Sequence, residues 1–479
     1  MLENNTVQEI SSEIKSKKIK VVEVVNFYLE RIKKYNSQLN AIVSFKDEEK
    51  IIQEAEIKDL EKNEEYSKKF LFGLPIAIKD IADVEGLPTT FGVKEYKDFF
   101  PEKNSIFVDR LVRHGAIIIG KTNTSELALG SHTNNQLYGP TANVYDTSKS
   151  AGGSSGGAAS AVAASLIPFA DGTDMMGSCR NPAAYANLYG FRPTPGLIPA
   201  KRSSKLKKEL SLLTTTGFIT RTPNDMSLIL DAASGKDDID PFSFDIKSSF
   251  RKTIMQDDEF SNLKIGWLSD MNGHYKFDYG IIEMCEKALA RIETYSSTLD
   301  IEALKTKIHP SDLWDIWTTL RAKCNFDDLE GMDLLDMNNL CDSAKWEYLK
   351  GADIKSDQIE KALSQRHKYI DEVDQLFKKF NFIVLPSAQV FPFDKKKSYP
   401  DQICGYNMDT YHRWMEVTIL PGLFQLPTIS VPVGFNEKGL PMGMQIIGRK
   451  GDDLKIVSFA KKYEELFNLS NNKPKNFFN

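Results

Sequence analysis

The 479-residue chain predicts an α/β fold, and three observations carry that prediction. Two β-branched apolar runs, 76–78 and 116–119, are each bounded by glycine and are too short for helices, so both suit buried strands. Between them, residues 108–114 have helical spacing, which gives the order strand, helix, strand. Strand-like runs then return at 382–385, 428–433 and 444–447 after a long stretch of helical faces.

Taken in order, Thr6-Val7-Gln8-Glu9 is a capping box that opens a short helix. A second helix follows, with Val21, Val25, Tyr28, Leu29 and Ile32 on one face. From about residue 240 to 380 the texture is helical. Ile281, Ile282, Cys285, Leu289 and Ile292 mark one face, and Leu313, Trp314, Trp317, Leu320 and Cys324 mark a second. Ile359, Leu363, Ile370, Val373 and Phe377 mark a third, with Ser356 as its expected cap. This stretch reads as a helical segment laid over the sheet. Its aromatic positions, Trp314, Trp317 and Trp346, fit core packing better than a pocket lining. No repeat, low-complexity tract or long linker divides the chain, so residues 1–479 read as one continuous domain.

Composition narrows the function classes. A hydrophobic fraction of 41% and a charged fraction of 27% are ordinary for a soluble globular protein. A chain of this size buries roughly three-quarters of its unfolded surface, enough for a deep, dry site. A net charge of −5 argues against nucleic acid as a partner, and the small basic cluster Lys205, Lys207, Lys208 reads as a solvated loop. Five cysteines without C-x-x-C spacing suggest free thiols in a reducing compartment and no zinc site. The N-terminus has no basic-then-apolar leader, and the most apolar window, 158–170, is too short to span a bilayer. A cytoplasmic protein with no membrane partner is therefore expected.

Three motifs compete for the chemistry. Residues 115–122 satisfy G-x-x-x-x-G-K-[ST], but the four variable positions are themselves the strand, whereas a phosphate loop must follow one. A strand ending at a Gly-Lys-Thr-Asn turn is the better reading. Gly152-x-Ser154-x-Gly156 matches a nucleophile elbow, yet residues 145–151 are polar turn material and not a strand. That mechanism also needs a histidine, and neither His274, His309, His367 nor His412 stands in surroundings that single it out. The third constellation is Lys79 at a strand end, Ser154 in a glycine loop opening onto the alanine-rich helix former 158–164, and Ser178 between Gly177 and Cys179.

These segments together resemble the amidase signature family. The resemblance runs through Gly73-Leu-Pro-Ile-Ala-Ile-Lys79-Asp80, Gly120-Lys-Thr-Asn-Thr-Ser-Glu126, the serine-glycine block 150–157 and Gly190-Phe-Arg-Pro-Thr-Pro-Gly196, and returns in 426–434 and 439–448. It implies one large domain with a mixed central sheet covered by helices. It places the signature core at about 70–225 and 380–450, with a variable helical segment at about 240–380. By the same resemblance Ser178 is the nucleophile, Ser154 the bridging serine (with a cis peptide) and Lys79 the base. The Asp174-Met175-Met176-Gly177-Ser178 segment is expected to supply oxyanion N–H groups from Met175, Met176 and Gly177. Met176 departs from the family pattern, where a glycine is usual, and its side chain is expected to narrow the acyl site. Asp174 and Arg180 are expected to brace the loop, and Cys179 to be a small buried hydrophobe.

The implied reaction is hydrolysis of a small-molecule carboxamide through an acyl-enzyme, with no metal or organic cofactor; a homo-oligomer fits as well as a monomer. Two alternatives stand beside it. One is the glutamine-hydrolysing component of a tRNA-dependent amidotransferase, which Gly217-Phe218 and the paired methionines fit less well. The other is a non-catalytic binding protein, which the filled reactive positions disfavour.

Overall fold

The computed structural model describes residues 2–61, 69–202, 208–256, 262–295 and 298–478. Lys205 and Lys207 of the basic cluster lie outside the described residues. Thr6 caps the helix Val7–Lys15: its Oγ1 accepts the Glu9 amide at 3.1 Å while Glu9 reaches back to the Thr6 N–H at 2.7 Å. The helix Val21–Leu39 buries Val21, Val25, Tyr28, Leu29 and Ile32 on the anticipated face.

The strand, helix, strand unit forms as its apolar runs require. Ile42–Phe45 (β1) pairs antiparallel to Ile117–Thr122 (β3), which pairs in parallel with Pro75–Lys79 (β2). The helix Ile106–Arg113 makes the connection between β2 and β3. Every position of β2 and β3 is buried, which is why both read as unbroken runs. β3 does not end at Gly120 as expected but continues through Lys121 and Thr122. Lys121 stays in the strand because its Nζ is buried and satisfied, donating to Ala82 O at 2.7 Å and Thr89 Oγ1 at 3.1 Å, 3.6 Å from Asp80. A lysine so committed is no phosphate ligand.

The second sheet has eight strands. Ala170–Asp174 (β4), Thr215–Thr220 (β6), Tyr189–Arg192 (β5), Thr428–Phe435 (β12), Pro441–Gly448 (β13) and Phe382–Pro386 (β9) follow one another antiparallel. Lys264–Trp267 (β7) and Asp300–Ala303 (β8) continue the sheet in parallel beyond β9. A two-strand ladder, Gln402–Ile403 (β10) with Tyr406–Asn407 (β11), stands apart. The segment 240–380 is thus not purely helical; β7 and β8 extend the sheet edge, through runs too short to show a period. Its helices Ile281–Glu293, Pro310–Leu329 and Ser356–Lys379 fall where the faces predicted, joined by Asp342–Ala352. The cap of Ser356–Lys379 is Lys355 and not Ser356: Gln358 Oε1 accepts the Lys355 amide at 2.9 Å, so Ser356 is already the first helical residue.

β4, β5 and β6 escape the sequence because glycine and polar residues replace the apolar alternation. Their glycines have a packing cause. A methyl on Gly172 (β4) would lie 2.8 Å from Cys179 Sγ, and one on Gly190 (β5) 2.4 Å from Cys179 O. Three neighbouring strands, with Gly217 of β6 paired to Gly172, therefore let the chain at 178–180 settle directly on the sheet.

Candidate active site

Lys79 closes β2 with its side chain wholly buried. Its backbone N–H donates to Asp171 Oδ1 at 3.0 Å, which ties the small sheet to β4 of the large one. Its Nζ lies 2.7 Å from Ser154 Oγ and 2.9 Å from Thr173 Oγ1. Burial lowers the ammonium pKa from the ordinary lysine value to about 8; Cys179, Asp171 and Asp174 offset part of the effect. Burial likewise raises the Asp171 carboxyl to about 6.

Ser154 sits in the glycine loop that enters the helix Gly156–Ala163, and the Gly153–Ser154 peptide is cis. The loop is held by backbone contacts: Ser154 O accepts from Thr133 Oγ1 at 3.2 Å and Gly152 O accepts the Thr133 amide at 2.9 Å. Ser178 is tied to the same loop, because the Ser155 N–H donates to Ser178 O at 3.3 Å. Lys79 and Ser154 are thus in direct hydrogen-bond contact. Ser178 Oγ forms no hydrogen bond among the described residues, so the two serines meet across one cavity and not through a bond.

The cavity has a volume of about 320 Å³, and Ser154, Thr173 and Ser178 are among the residues that line it. Its other walls are mainly apolar, with Phe91, Leu127, Leu129, Leu329, Met332 and Met415. No histidine lines it among the described residues. His132, close in space to the glycine loop, is engaged by Ser150 Oγ at 2.7 Å and Lys395 O at 3.0 Å. With no strand at 145–151 and no histidine in the cavity, the elbow geometry is not formed.

Asp174 organises the loop before Ser178. Its Oδ1 accepts the Gly177 N–H at 3.0 Å and Arg180 Nη2 at 2.8 Å; its Oδ2 accepts the Cys179 N–H at 3.2 Å and Arg180 Nε at 3.0 Å. Burial alone would raise this carboxyl, but the charges and hydrogen bonds of Arg180, with Arg192 beside it, hold it below the usual range. Gly177 was expected at the oxyanion, yet its N–H is spent on Asp174. Its φ of +85° and a would-be Cβ 2.9 Å from Thr418 explain why glycine stands there. The amides of Met175, Met176 and Ser178 donate to no partner among the described residues. Met176 lines the cavity, and its Sδ accepts from Trp317 Nε1 at 3.3 Å, so an aromatic of the helical segment anchors a residue of the loop that precedes Ser178. Cys179 is buried in the core, and burial pushes its thiol well up.

Sequence reasoning missed Thr173 and Asp171. Both stand on β4, two residues apart and hence on one face, and that face meets Lys79. The signal was the strand period, hidden by Gly172. It also left open which residues of 240–380 reach the cavity; they are Arg321, Asn325, Asp328, Leu329 and Met332. Trp314 and Trp346 do not line it. Among the described residues no helix is long and apolar enough to cross a membrane. Nor, among them, is any group of three His, Cys, Asp or Glu placed to hold a metal ion.

Comparison with known proteins places this geometry. The family model Amidase matches residues 23–457. An acylamidase of Rhodococcus erythropolis is 32% identical over 97% of this chain and 96% of its own length. The A-type subunit of the glutamyl-tRNA(Gln) amidotransferase of Caldanaerobacter subterraneus subsp. tengcongensis is 30% identical over 96% of each chain. Among solved structures, a bacterial aryl acylamidase of the amidase signature family superposes with a TM-score of 0.88 at 28% identity, covering 98% of both chains. A family model spanning most of the chain, and relatives this similar over nearly their full lengths, lead to one conclusion: the chain belongs to the amidase signature family and is an amidase, a hydrolase of carbon–nitrogen amide bonds.

Proposed function

We propose that the enzyme hydrolyses a small carboxamide through an acyl-enzyme on Ser178, with Ser154 as proton bridge and Lys79 as base. The observation that carries this reading is Lys79 Nζ: fully buried, shifted to about 8, and 2.7 Å from a serine that opens onto the cavity of Ser178. A neutral amine has two N–H donors and one lone pair. Thr173 Oγ1 takes one N–H, and Ser154 Oγ–H donates to the lone pair.

In this mechanism the Ser178 hydroxyl turns toward Ser154 across the cavity that both line. Its proton then passes to Ser154 as Ser154 gives its own to Lys79, while Ser178 Oγ attacks the amide carbon. The unpartnered N–H groups of Met175 and Met176, with that of Ser178, receive the oxyanion; one such donor is typically worth about 10²–10³ in rate. Lys79 returns its proton through Ser154 to the departing amine or ammonia. Water then repeats the sequence on the ester, and no residue other than these needs to change its protonation state.

A serine-directed phosphonate or sulfonyl fluoride tests the assignment. Peptide mapping is expected to find the adduct on Ser178; an adduct on Ser154 or Ser155 with Ser178 unmodified refutes it. A second reading, the glutamine-hydrolysing component of an amidotransferase, draws on the 30% identity to such a protein. The mainly apolar cavity favours the acylamidase reading, and co-purification with a partner protein together with glutaminase activity would reverse that preference.

A further inference from the structure

One wall of the cavity is a single face of the helix Pro310–Leu329. Arg321, Asn325, Asp328 and Leu329 follow at i, i+4, i+7 and i+8, and all four line the cavity that holds Ser178. Arg321 and Asn325 are only 3% and 7% exposed, in mainly apolar surroundings. Arg321 Nη1 donates to Glu347, whose Oε1 also accepts from the Tyr411 hydroxyl at 2.5 Å. Yet Arg321 Nε and Asn325 Nδ2 have no hydrogen-bond partner among the described residues. A buried donor without an acceptor is costly, and two on one wall, a turn apart, need a cause.

We propose that Arg321 and Asn325 recognise a second, neutral carbonyl oxygen in the substrate, remote from the scissile amide. The preferred substrates are then amides that carry a further amide or ester carbonyl. The inference rests on amide hydrolysis in this cavity, as proposed above, and names the substrate class. The unpaired groups on the residues that line the cavity wall are donors, while the unpaired Glu347 Oε2 belongs to a residue outside the lining, so the ligand brings an acceptor. The acceptor is neutral because Glu347 already balances the Arg321 charge, while Asp328, which lines the same cavity and is raised by burial only to about 6, repels an entering carboxylate at neutral pH. A half-turn of the Asn325 amide exchanges its donor and acceptor ends, so an amide N–H next to that carbonyl is accommodated too.

The test compares amides of matched length: the N-acetyl derivatives of glycinamide, β-alaninamide and 4-aminobutanamide against pentanamide, hexanamide and heptanamide. Glutaramate supplies the carboxylate arm. Ammonia release gives kcat/KM for the wild-type enzyme, and calorimetry on Ser178→Ala gives Kd without turnover. At least one acetamido compound is expected to exceed its alkyl partner by about tenfold, mainly in KM, and to bind Ser178→Ala more tightly by a similar factor. Asn325→Leu is expected to bring both ratios toward one. Arg321→Lys keeps a cation beside Glu347 and is expected to reduce them in part. Ratios near one in the wild type, ratios unchanged in both variants, or a preference for glutaramate would overturn the inference. If no amide releases ammonia, the proposed chemistry fails and the Kd ratios alone decide the recognition of the second carbonyl; if Ser178→Ala still releases it, the chemistry fails and the rate ratios decide.

Discussion

Replacing Thr173 by valine isolates the electrostatics of Lys79, the proposed base. Valine keeps the branched shape and the strand preference of β4 and removes only the oxygen 2.9 Å from Lys79 Nζ. A hydrogen bond to a charged group is worth about 1.5–3 kcal/mol and one to a neutral group about 1 kcal/mol. The Thr173 oxygen therefore favours the ammonium over the amine by roughly 1.4 kcal/mol, or about one pKa unit. Lys79, now near 8, is expected to fall to about 7 in Thr173→Val. In the proposed mechanism the amine is the active form, so activity is expected to rise with pH through this value and then level off. The neutral fraction at pH 7 changes from roughly one-tenth to roughly one-half, while the plateau drops as the amine loses one of its two fixed contacts. The assay is kcat/KM for a simple amide between pH 5.5 and 10 in both proteins. An inflection that stays at the wild-type position, or moves upward, would show that Lys79 is not the titrating base.

Three further outcomes follow from the same geometry. Lys79→Ala is expected to lower kcat/KM by several orders of magnitude and to abolish the rise through pH 8, with circular dichroism unchanged; near-normal turnover refutes the histidine-free relay. Asp174→Asn strips a buried carboxylate from Arg180 and is expected to cost about 3–5 kcal/mol in denaturant unfolding at pH 7. The wild-type contribution is present above the unfolded aspartate pKa and disappears as pH falls through the lower folded value, so the gap between the two proteins should close in acid. Met176→Gly removes the side chain that Trp317 anchors; it is expected to raise kcat/KM for bulky relative to small acyl amides, and equal losses on both would refute the narrowing.

What the sequence showed and hid divides along physical lines. The runs at 76–78 and 116–119 were legible because both faces of those strands are buried, so every side chain carries the signal. Lys79 and Ser154 were legible because a strand end and a glycine loop announce themselves locally, and their contact across 75 residues is what the fold adds. Thr173 was not legible, since Ala170–Asp174 holds one apolar residue in five and owes its strand to pairing with β6. Gly177 read as a donor because sequence does not show where Asp174 points; a carboxylate that accepts the Gly177 amide redirects that group from the site to the loop. Arg321 and Asn325 lie in a helix whose faces looked like ordinary core, and buried polar groups on such a face gain meaning only once the space beside them is known.

The glycine strip across β4, β6 and β5 has a bearing on how such an enzyme can change over time. Side chains withdrawn from three adjacent strands let main chain rest on main chain beneath Cys179, so the depth of the neighbouring Ser178 is set by backbone thickness. At Gly190 and Gly217 no compensating substitution nearby can restore that depth once a methyl is added, because the nearest obstructing atoms are the carbonyl oxygens of Cys179 and Phe191. The helix Pro310–Leu329, by contrast, meets the cavity through Arg321, Asn325, Asp328 and Leu329, positions that can be exchanged one at a time. Inherited variation therefore has a rigid floor and a rewritable wall: new substrates are gained on the helix while the reaction itself is carried forward unchanged.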